Sequence, residues 1–473
     1  MAFLKTILTS VAAFFSLTLL SQNVYLKNAP PPAKTDFDRF LYDLWKKEKI
    51  SPAREASDCV MVRRIYIDLL GRVPSPAEAR NYTNDRNPEK QAQLVKKLLS
   101  SEEHAMFMTM RMGDELRIKS EFPINLWPNA AFLYTNTIYN ALRKDMPFDQ
   151  FASALILSDG SNFRNGYANF FRAVPQKQPT EIADAAAKFL LGKNLKQLSP
   201  AEQKRFVGTF SCIKFKSTRE WKEEIVYSTL LPAKDPRYRL VKDVVSRKDF
   251  AKTAVRRAWR WVFGNDNVDE RIITYLADDF RKNGFSLRRL LEKICTSAAY
   301  RAGSLCKGDH ARMTKFAAIY PVRRLDAEVL ADSIAQITGK PYSYSSVIPE
   351  PFSYYNNRAA ALPDGSVTNQ LLLLFGRPSR DTGNPEERKR NISSDQRLYL
   401  FNSSDINSRL NNIQRKIKNE KDKLGAVYML FYSRMPTAEE RKIYQQMNKT
   451  VKWKLFSRMP WVLLNSREFL YQH

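Results

Sequence analysis

The strongest constraint on the fold is a capped helical unit that occurs twice in the sequence. The copies run from Tyr66 to Glu78 and from Tyr428 to Glu440, and share a tyrosine, an arginine, a proline, a hydroxyl residue and a glutamate at equal spacing. A hydroxyl residue followed three positions later by glutamate is a capping box, which specifies a helix start. In the first copy Pro76 strengthens this signal, because proline suits the first helical position. We therefore expect a duplicated helical hairpin, with independent convergence of two capped hairpins as the alternative.

Helical patterns dominate the rest of the chain as well. Amphipathic segments include 36–47 and 58–70, and strands are hard to identify. A similar helix ending occurs three times, as VKKLLSSEEH from Val95, ICTSAAYRAG from Ile294 and VLLNSREFLY from Val462. The sequence therefore predicts a mainly α, multi-helix fold.

One long segment departs from this pattern. A helix containing Leu325 and Ile337 reaches Gly339, which suits a left-handed C-cap. The residues from Lys340 to Val367 include Pro349, Pro351 and Pro363, which fix φ and lack an N–H donor, so neither a helix nor a central strand can pass through. Loops beyond about 12–15 residues tend to be functional or disordered. Because this one is rich in aromatic residues, we expect an ordered, functional loop.

The loop and its continuation to residue 381 supply candidate site residues. The candidate acids and bases are the carboxylates Glu350, Asp364 and Asp381. The candidate ligand-binding residues are Arg377, Arg380, Tyr354 and Tyr355. Carboxylate pairs can hydrolyse glycosides without histidine, and arginine offers a rigid fork for sulfate or carboxylate. Helix capping or buried ion pairs are the alternative role for these arginines.

A second set of candidates lies on the helix predicted from Phe250 to Phe263. Its basic face consists of Lys252, Arg256, Arg257 and Arg260. Such a face suits nucleic acid or a sulfated or phosphorylated glycan, and a solvated face on a basic protein is the alternative. No recognised nucleic-acid motif accompanies it, which disfavours nucleic acid.

Charge and the first residues indicate where such a chain works. Lysine and arginine number 77 against 49 acidic residues, a formal net charge of +28, which attracts polyanions. Lys5 precedes an apolar run from Ile7 to Leu20, as in a secretory signal peptide. We expect a signal peptide at residues 1–21 and export to the periplasm, cell envelope or medium. The alternative is an uncleaved anchor, the chain's only expected membrane contact, but the run is shorter than the roughly 20 residues of a span.

Cysteine and histidine restrict the cofactors. The four cysteines, Cys59, Cys212, Cys295 and Cys306, form no C-x-x-C motif, so zinc-ribbon and covalent haem sites lack their minimum pattern. A disulfide between Cys295 and Cys306 and a buried, unpaired Cys295 both remain open. A zinc site or catalytic triad would depend on His104 or His310, since the third histidine is His473. We therefore expect no metal and no cofactor.

Several motifs occur in an order that points to a known family. They include the segment from Asp58 to Pro74, MPFDQF from Met146, RRLDAEVLADSI from Arg323, and FGRPSRDTG from Phe375. Together they resemble the planctomycete secreted cytochrome-associated proteins with domains of unknown function 1549 and 1553. The resemblance implies a linker at 22–35, a first helical domain at 36–235 and a second at 236–473.

The resemblance also bears on haem and on function. Many relatives carry C-x-x-C-H soon after a phrase like FLG. Here Phe189–Gly192 is followed by KNLKQLSPAEQKRF, which contains no cysteine or histidine, so the chain resembles a haem-free subset. The activity of the family is unassigned. We expect an exported binding or scaffold protein for an anionic partner, such as sulfated polysaccharide or an envelope component. The alternatives are a carboxylate enzyme acting on polysaccharide through the 340–381 loop and, less favoured, nucleic-acid binding.

Overall fold

A computed structural model describes residues 22–306, 308–348, 357–450 and 455–473. The predicted signal peptide at residues 1–21 lies outside the described residues, as do the candidates Glu350, Tyr354 and Tyr355. The described chain is mainly helical, as the sequence predicts. None of its helices combines the length and apolar character needed to cross a membrane.

Helices up to residue 246 are connected mostly by short loops. They are α1 (Gln22–Tyr25), α2 (Asp36–Lys47), α3 (Asp58–Leu70), α4 (Pro76–Asn84), α5 (Lys90–Leu99), α6 (Glu102–Glu115), α7 (Trp127–Arg143), α8 (Phe148–Ile156), α9 (Asn169–Arg172), α10 (Pro179–Leu191), α11 (Pro200–Phe210) and α12 (Pro236–Ser246). Among them, α2 and α3 match the predicted spans.

The remaining helices flank the long loop. They are α13 (Lys248–Phe263), α14 (Glu270–Lys282), α15 (Leu287–Thr296), α16 (Ala298–Arg301), α17 (His310–Lys315), α18 (Ala327–Thr338), α19 (Gln370–Leu374), α20 (Ser394–Asn402), α21 (Ser404–Lys416), α22 (Lys423–Tyr432), α23 (Ala438–Thr450), α24 (Leu455–Leu464) and α25 (Arg467–Leu470). Short 3-10 turns occupy Gly166–Ala168, Leu195–Gln197, Pro232–Lys234, Ala359–Ala361 and Pro385–Glu387. As predicted, Gly339 ends α18 with a φ of 68°. The described loop after it holds a 3-10 turn and an isolated bridge between Ser345 and Thr368.

The chain divides into two compact units, and neither is one continuous stretch. The first unit comprises the described residues of Met1–Val95, Cys295–Tyr342 and Arg390–His473. The second unit comprises Lys96–Ile294 and Ser343–Lys389. Each unit therefore draws on both sides of the boundary predicted between residues 235 and 236, so the compact units do not divide there. That boundary remains a prediction about the family segments.

The duplicated hairpin lies in the first unit, as α3–α4 and α22–α23. Arg72 donates two hydrogen bonds to Glu78 at 2.8 and 3.0 Å, and Arg434 donates two to Glu440, both at 2.8 Å. Each arginine also lies near the ring of its own copy's tyrosine, at 5.1 and 5.4 Å from the ring centroid. The two copies thus share the same local structure, which explains the equal spacing of their residues.

The three similar helix endings also share one structure. In each, a helix stops and a serine caps the next helix by accepting the backbone N–H three residues later. The acceptors are Ser101, Ser297 and Ser466, with donor distances of 3.1, 3.2 and 3.2 Å. The repeated letters therefore encode a tight helix-to-helix turn with a side-chain N-cap.

Two small antiparallel sheets accompany the helices in the described part of the chain. In the second unit, β1 (Gly160–Ser161), β2 (Ile213–Ser217) and β3 (Glu224–Ser228) form a sheet of order β1-β3-β2. In the first unit, β4 (Arg323–Arg324) pairs with β5 (Tyr471–Gln472). The β2–β3 hairpin was not identified from sequence, although the alternation of apolar and basic residues along β2 is the period-2 signal of a strand.

Candidate functional site

Asp364, a candidate acid or base, is a buried anchor of the loop. Both of its carboxylate oxygens accept the backbone N–H of Ser120, at 3.0 and 3.1 Å, and the Ser120 hydroxyl also donates to it. The backbone N–H of Ser366 donates at 2.8 Å. The residue has no exposed surface. These bonds fix the loop to the segment before α7 and direct the carboxylate away from solvent.

The candidate ligand-binding arginines are also buried, and they bind the backbone. Arg377 donates to the carbonyl oxygen of Asp364 at 2.9 Å and to that of Val367. Arg380 is only 1% exposed and binds Asp114 together with three carbonyl oxygens. Both guanidinium groups therefore hold the loop together, and the pair between Arg380 and Asp114 is a largely buried ion pair, as in the alternative role for these arginines. Asp381, the third carboxylate, is partly exposed and accepts from Lys119 at 2.6 Å.

The basic face of α13 is largely neutralised by acidic neighbours within the second unit. Glu270 pairs with Lys252 at 2.9 Å and with Arg256, and Asp266 accepts from Arg260 at 2.8 and 2.9 Å. The remaining member, Arg257, is buried and donates to Glu115 at 2.6 Å. The four predicted residues therefore do not form one open basic surface. Their partners lie beyond the helix itself, so helical spacing could not reveal them.

The β2–β3 hairpin presents a different basic surface, which sequence reasoning missed. Lys214 pairs across the ladder with Tyr227, and Lys216 with Ile225. Residues directly opposite on antiparallel strands project from the same face. All four side chains are exposed, so this outer face combines two lysines with two large apolar residues.

The turn of the hairpin extends this surface. Trp221 is 71% exposed, and the ammonium group of Lys222 lies 5.2 Å from its ring centroid. Arg219 is exposed beside them. We call the hairpin face the set Lys214, Lys216, Arg219, Trp221, Lys222, Ile225 and Tyr227. In the part of the chain that the structure describes, none of its four cations forms an ion pair with a carboxylate.

The carboxylates of the hairpin lie mostly on its inner side. Glu223 accepts from the hydroxyls of Ser161 and Thr218, and these hydrogen bonds lower its pKa. Glu224 binds Lys177 at 2.6 and 2.7 Å and also pairs with Arg172. These bonds anchor β3 to the helical body of the second unit. The outer face is left with four cations and one exposed acid, Glu220.

The lysines on β2 could also serve the fold, because β2 is an edge strand of its sheet. Charged residues on edge strands prevent pairing with another chain. That role does not explain an exposed tryptophan at the turn or exposed Ile225 and Tyr227 opposite the lysines. Clusters of exposed aromatic residues are typical of interaction sites. The hairpin face therefore has the composition of a binding surface for an anionic partner with apolar or ring surfaces.

Cysteine and metal chemistry receive little support from the geometry. All four cysteines are free thiols, and Cys295 is buried, which raises its pKa. The disulfide to Cys306 that the sequence left open is therefore not formed. Over the described ranges, no group of three or more His, Cys, Asp or Glu side chains could hold a metal ion.

Comparison with known families gives two matches in tandem. PSCyt2, described as a protein of unknown function (DUF1549), matches residues 36–212, and PSD1, described as a protein of unknown function (DUF1553), matches residues 236–448. The resemblance to domains of unknown function 1549 and 1553 is thereby confirmed. No curated protein and no solved structure matches the chain. The strands of the hairpin face, Ile213–Ser217 and Glu224–Ser228, lie between the two matched segments.

Proposed function

We propose that this chain, which belongs to the family of proteins that carry DUF1549 and DUF1553 in tandem, is an exported binding or scaffold protein for an anionic polysaccharide. The polymer would carry sulfate or uronic-acid groups and would be met in the cell envelope or outside the cell. The hairpin face is the observation that supports the proposal most strongly. It joins cations that have no ion-pair partner among the described residues to exposed aromatic rings.

The physical argument rests on two complementary forces. Lys214 and Lys216 are two residues apart on one strand, so their side chains lie on the same face about 7 Å apart. A linear polyanion can therefore contact both. Trp221 and Tyr227 offer ring surfaces for the apolar faces of sugars, an interaction that salt does not screen.

The enzyme alternative has weaker support. It requires an open carboxylate in the 340–381 loop, whereas the described carboxylates there are the buried Asp364 and Asp381, which pairs with Lys119. Nucleic acid would also be attracted by positive charge, so the test below includes single-stranded DNA.

The test compares two charge-matched variants of the full chain. One replaces Lys214, Lys216 and Lys222 by glutamine, and the other replaces Lys252, Arg256 and Arg260. Binding is measured to immobilised chondroitin sulfate and polygalacturonate, with dextran as the neutral control. The hairpin variant should bind about tenfold more weakly and with a shallower salt dependence, whereas the α13 variant should bind nearly as well as wild type.

Two outcomes would contradict the proposal. An equal loss in both variants would mean that only net charge attracts the polymer. Tighter binding to single-stranded DNA than to either polysaccharide would favour nucleic acid. A Trp221→Ala variant adds an independent readout, since it should weaken polysaccharide binding at low and high salt alike.

A further inference from the structure

The second unit also contains a cleft that none of the predicted site residues lines. Its volume is about 550 Å³. This lies within the range of about 300–1,000 Å³ that is usual for small-molecule sites. Its charged and aromatic lining consists of Asp149, Asp278, Arg281, Lys282 and Phe285.

Three helices position this lining. Asp149 lies in the first turn of α8, and Asp278, Arg281 and Lys282 belong to the last turns of α14. A guanidinium nitrogen of Arg281 donates to the carbonyl oxygen of Ser246, the last residue of α12, at 3.2 Å. The cleft therefore has walls of regular structure that are joined by hydrogen bonds.

Phe285, which lines the cleft, has an unusual backbone conformation. Its φ is 55°, in the left-handed region that bulky residues rarely adopt. The Phe285 N–H donates to the carbonyl of Phe280 at 2.9 Å, and its own carbonyl accepts the N–H of Phe148 at 3.0 Å. Its ring packs against Phe250 and Phe280 at centroid distances of 5.9 and 5.3 Å. These hydrogen bonds and ring contacts hold Phe285 in place beside the cleft.

The two carboxylates of the lining, Asp149 and Asp278, lack partners of the kind that the adjacent Asp279 has. Oδ1 of Asp149 is buried and has no hydrogen-bond partner among the described residues. Asp278 forms no ion pair with any residue in the described ranges, whereas the adjacent Asp279 binds Lys293 at 2.5 Å. A buried acceptor without a partner costs free energy, and a ligand donor would recover it.

The lining combines groups of opposite hydrogen-bonding character. Carboxylates only accept hydrogen bonds, and arginine and lysine side chains only donate them. Two carboxylates and two cations also balance in charge, so the lining gives no net preference for an anion. A ligand that matches it must donate and accept hydrogen bonds around its edge and offer an apolar face to Phe285.

We infer that this cleft binds a neutral sugar ring, as one residue of an oligosaccharide. Each sugar hydroxyl both donates and accepts hydrogen bonds, so neighbouring hydroxyls can donate to Asp149 and Asp278 and accept from Arg281 and Lys282. The C–H face of the ring packs on Phe285, as apolar surface does on aromatic rings. This site is separate from the hairpin face and does not depend on its proposed ligand.

The test uses the full chain and three neutral probes, which are cellotetraose, xylotetraose and mannotetraose. Calorimetry and saturation-transfer NMR measure binding to wild type and to Asp149→Ala, Asp278→Ala and Lys282→Gln. Each substitution should weaken binding of the preferred tetrasaccharide by about tenfold or more. Asp279→Ala is the matched control on the same helix and should bind like wild type. Lys282 is exposed, so its variant tests the cleft even where an aspartate variant fails to fold.

Three results would overturn the inference. The first is no binding of any tetrasaccharide to wild type at about 10 mM. The second is an equal loss of tetrasaccharide binding in the Asp279→Ala and Asp278→Ala variants. The third is loss of tetrasaccharide binding in the Lys214, Lys216 and Lys222 glutamine variant, which would move the sugar site to the hairpin face. Retained tetrasaccharide binding with lost polyanion binding in that variant would support both sites independently.

Discussion

Arg380 donates its Nε to Oδ1 of Asp114 at 2.9 Å, joining the end of the long loop to helix α6. Its terminal nitrogens donate to the carbonyl oxygens of Met110, Ile118 and Pro363 at 3.2, 3.3 and 3.2 Å. Met110 lies within α6, and Ile118 lies just after its end. One side chain thus joins the long loop to α6 and to the turn that follows it.

Replacing Arg380 by glutamine should therefore destabilise the protein rather than impair a ligand site. We expect the free energy of unfolding to fall by about 3–5 kcal/mol, because the change removes one partner of the largely buried ion pair between Arg380 and Asp114. Urea titration measures it. Asp381→Asn is the control and should cost about 1 kcal/mol or less, since its pair with Lys119 is partly exposed. If the Arg380→Gln variant keeps the stability of wild type but loses binding to polyanions, Arg380 belongs to a ligand site instead.

The duplicated hairpin predicts unequal costs for equivalent arginines. Arg434 is 5% exposed and binds both Glu440 and Glu468, with the closest contact to each at 2.8 and 2.7 Å. Arg72 is 16% exposed, and its partner Glu78 is more open to solvent. Arg434→Gln should cost about 3–5 kcal/mol, because two buried carboxylates lose their partner.

Arg72→Gln should lower the free energy of unfolding by about 1 kcal/mol under the same conditions, because water can solvate the more exposed Glu78 after its partner is lost. Urea unfolding of wild type and both variants measures the two losses of stability in the same protein. Equal losses would mean that the two copies are energetically equivalent despite their different burial.

The sequence predicted those parts of the fold that depend on local signals. The capping box in each copy of the hairpin and the left-handed Gly339 are encoded within a few neighbouring residues, and the structure confirms both. The spans of α2 and α3 follow from helical periodicity. Local chemistry was sufficient in these places because the determining contacts lie within one helical turn or one tight turn.

The remaining features depend on partners far away in the chain. The basic residues on α13 look open by helical spacing, and only the fold brings Glu270 and Asp266 to them. Arg380 meets Asp114 across 266 positions, which no spacing rule anticipates. The β2–β3 hairpin is short, and five-residue strands give weak periodicity inside a chain dominated by helices.

The cysteine pattern predicts that the purified protein carries no covalently attached haem. Thioether attachment uses the C-x-x-C-H motif, and Cys59, Cys212, Cys295 and Cys306 are too far apart in sequence to form it. Spectra of protein expressed together with a haem-attachment system provide the measurement. A Soret band that survives acid-acetone extraction would contradict this prediction.

His473 predicts a specific pH dependence of stability. Burial, together with the nearby Arg63 and Arg64, lowers the pKa of His473 from 6.5 to about 4, while Glu468 opposes the shift. Its ring also packs edge-on against Tyr25, at a centroid distance of 5.3 Å. Between these two pKa values the unfolded chain binds a proton that the folded chain does not, so acid favours unfolding.

The contribution of His473 should be fully present above about pH 6.5 and should be lost as the pH falls towards 4. The loss is at most about 3 kcal/mol, and less if the partial exposure of the residue lets water reach the ring. Urea unfolding of wild type and His473→Gln at pH 7 and pH 4.5 isolates this term, because the acidic residues titrate in both proteins. Wild type should lose about 2–3 kcal/mol more than the variant over this interval. Identical pH dependence in the two proteins would show that His473 titrates normally, and that the packing against Tyr25 does not exclude its charged form.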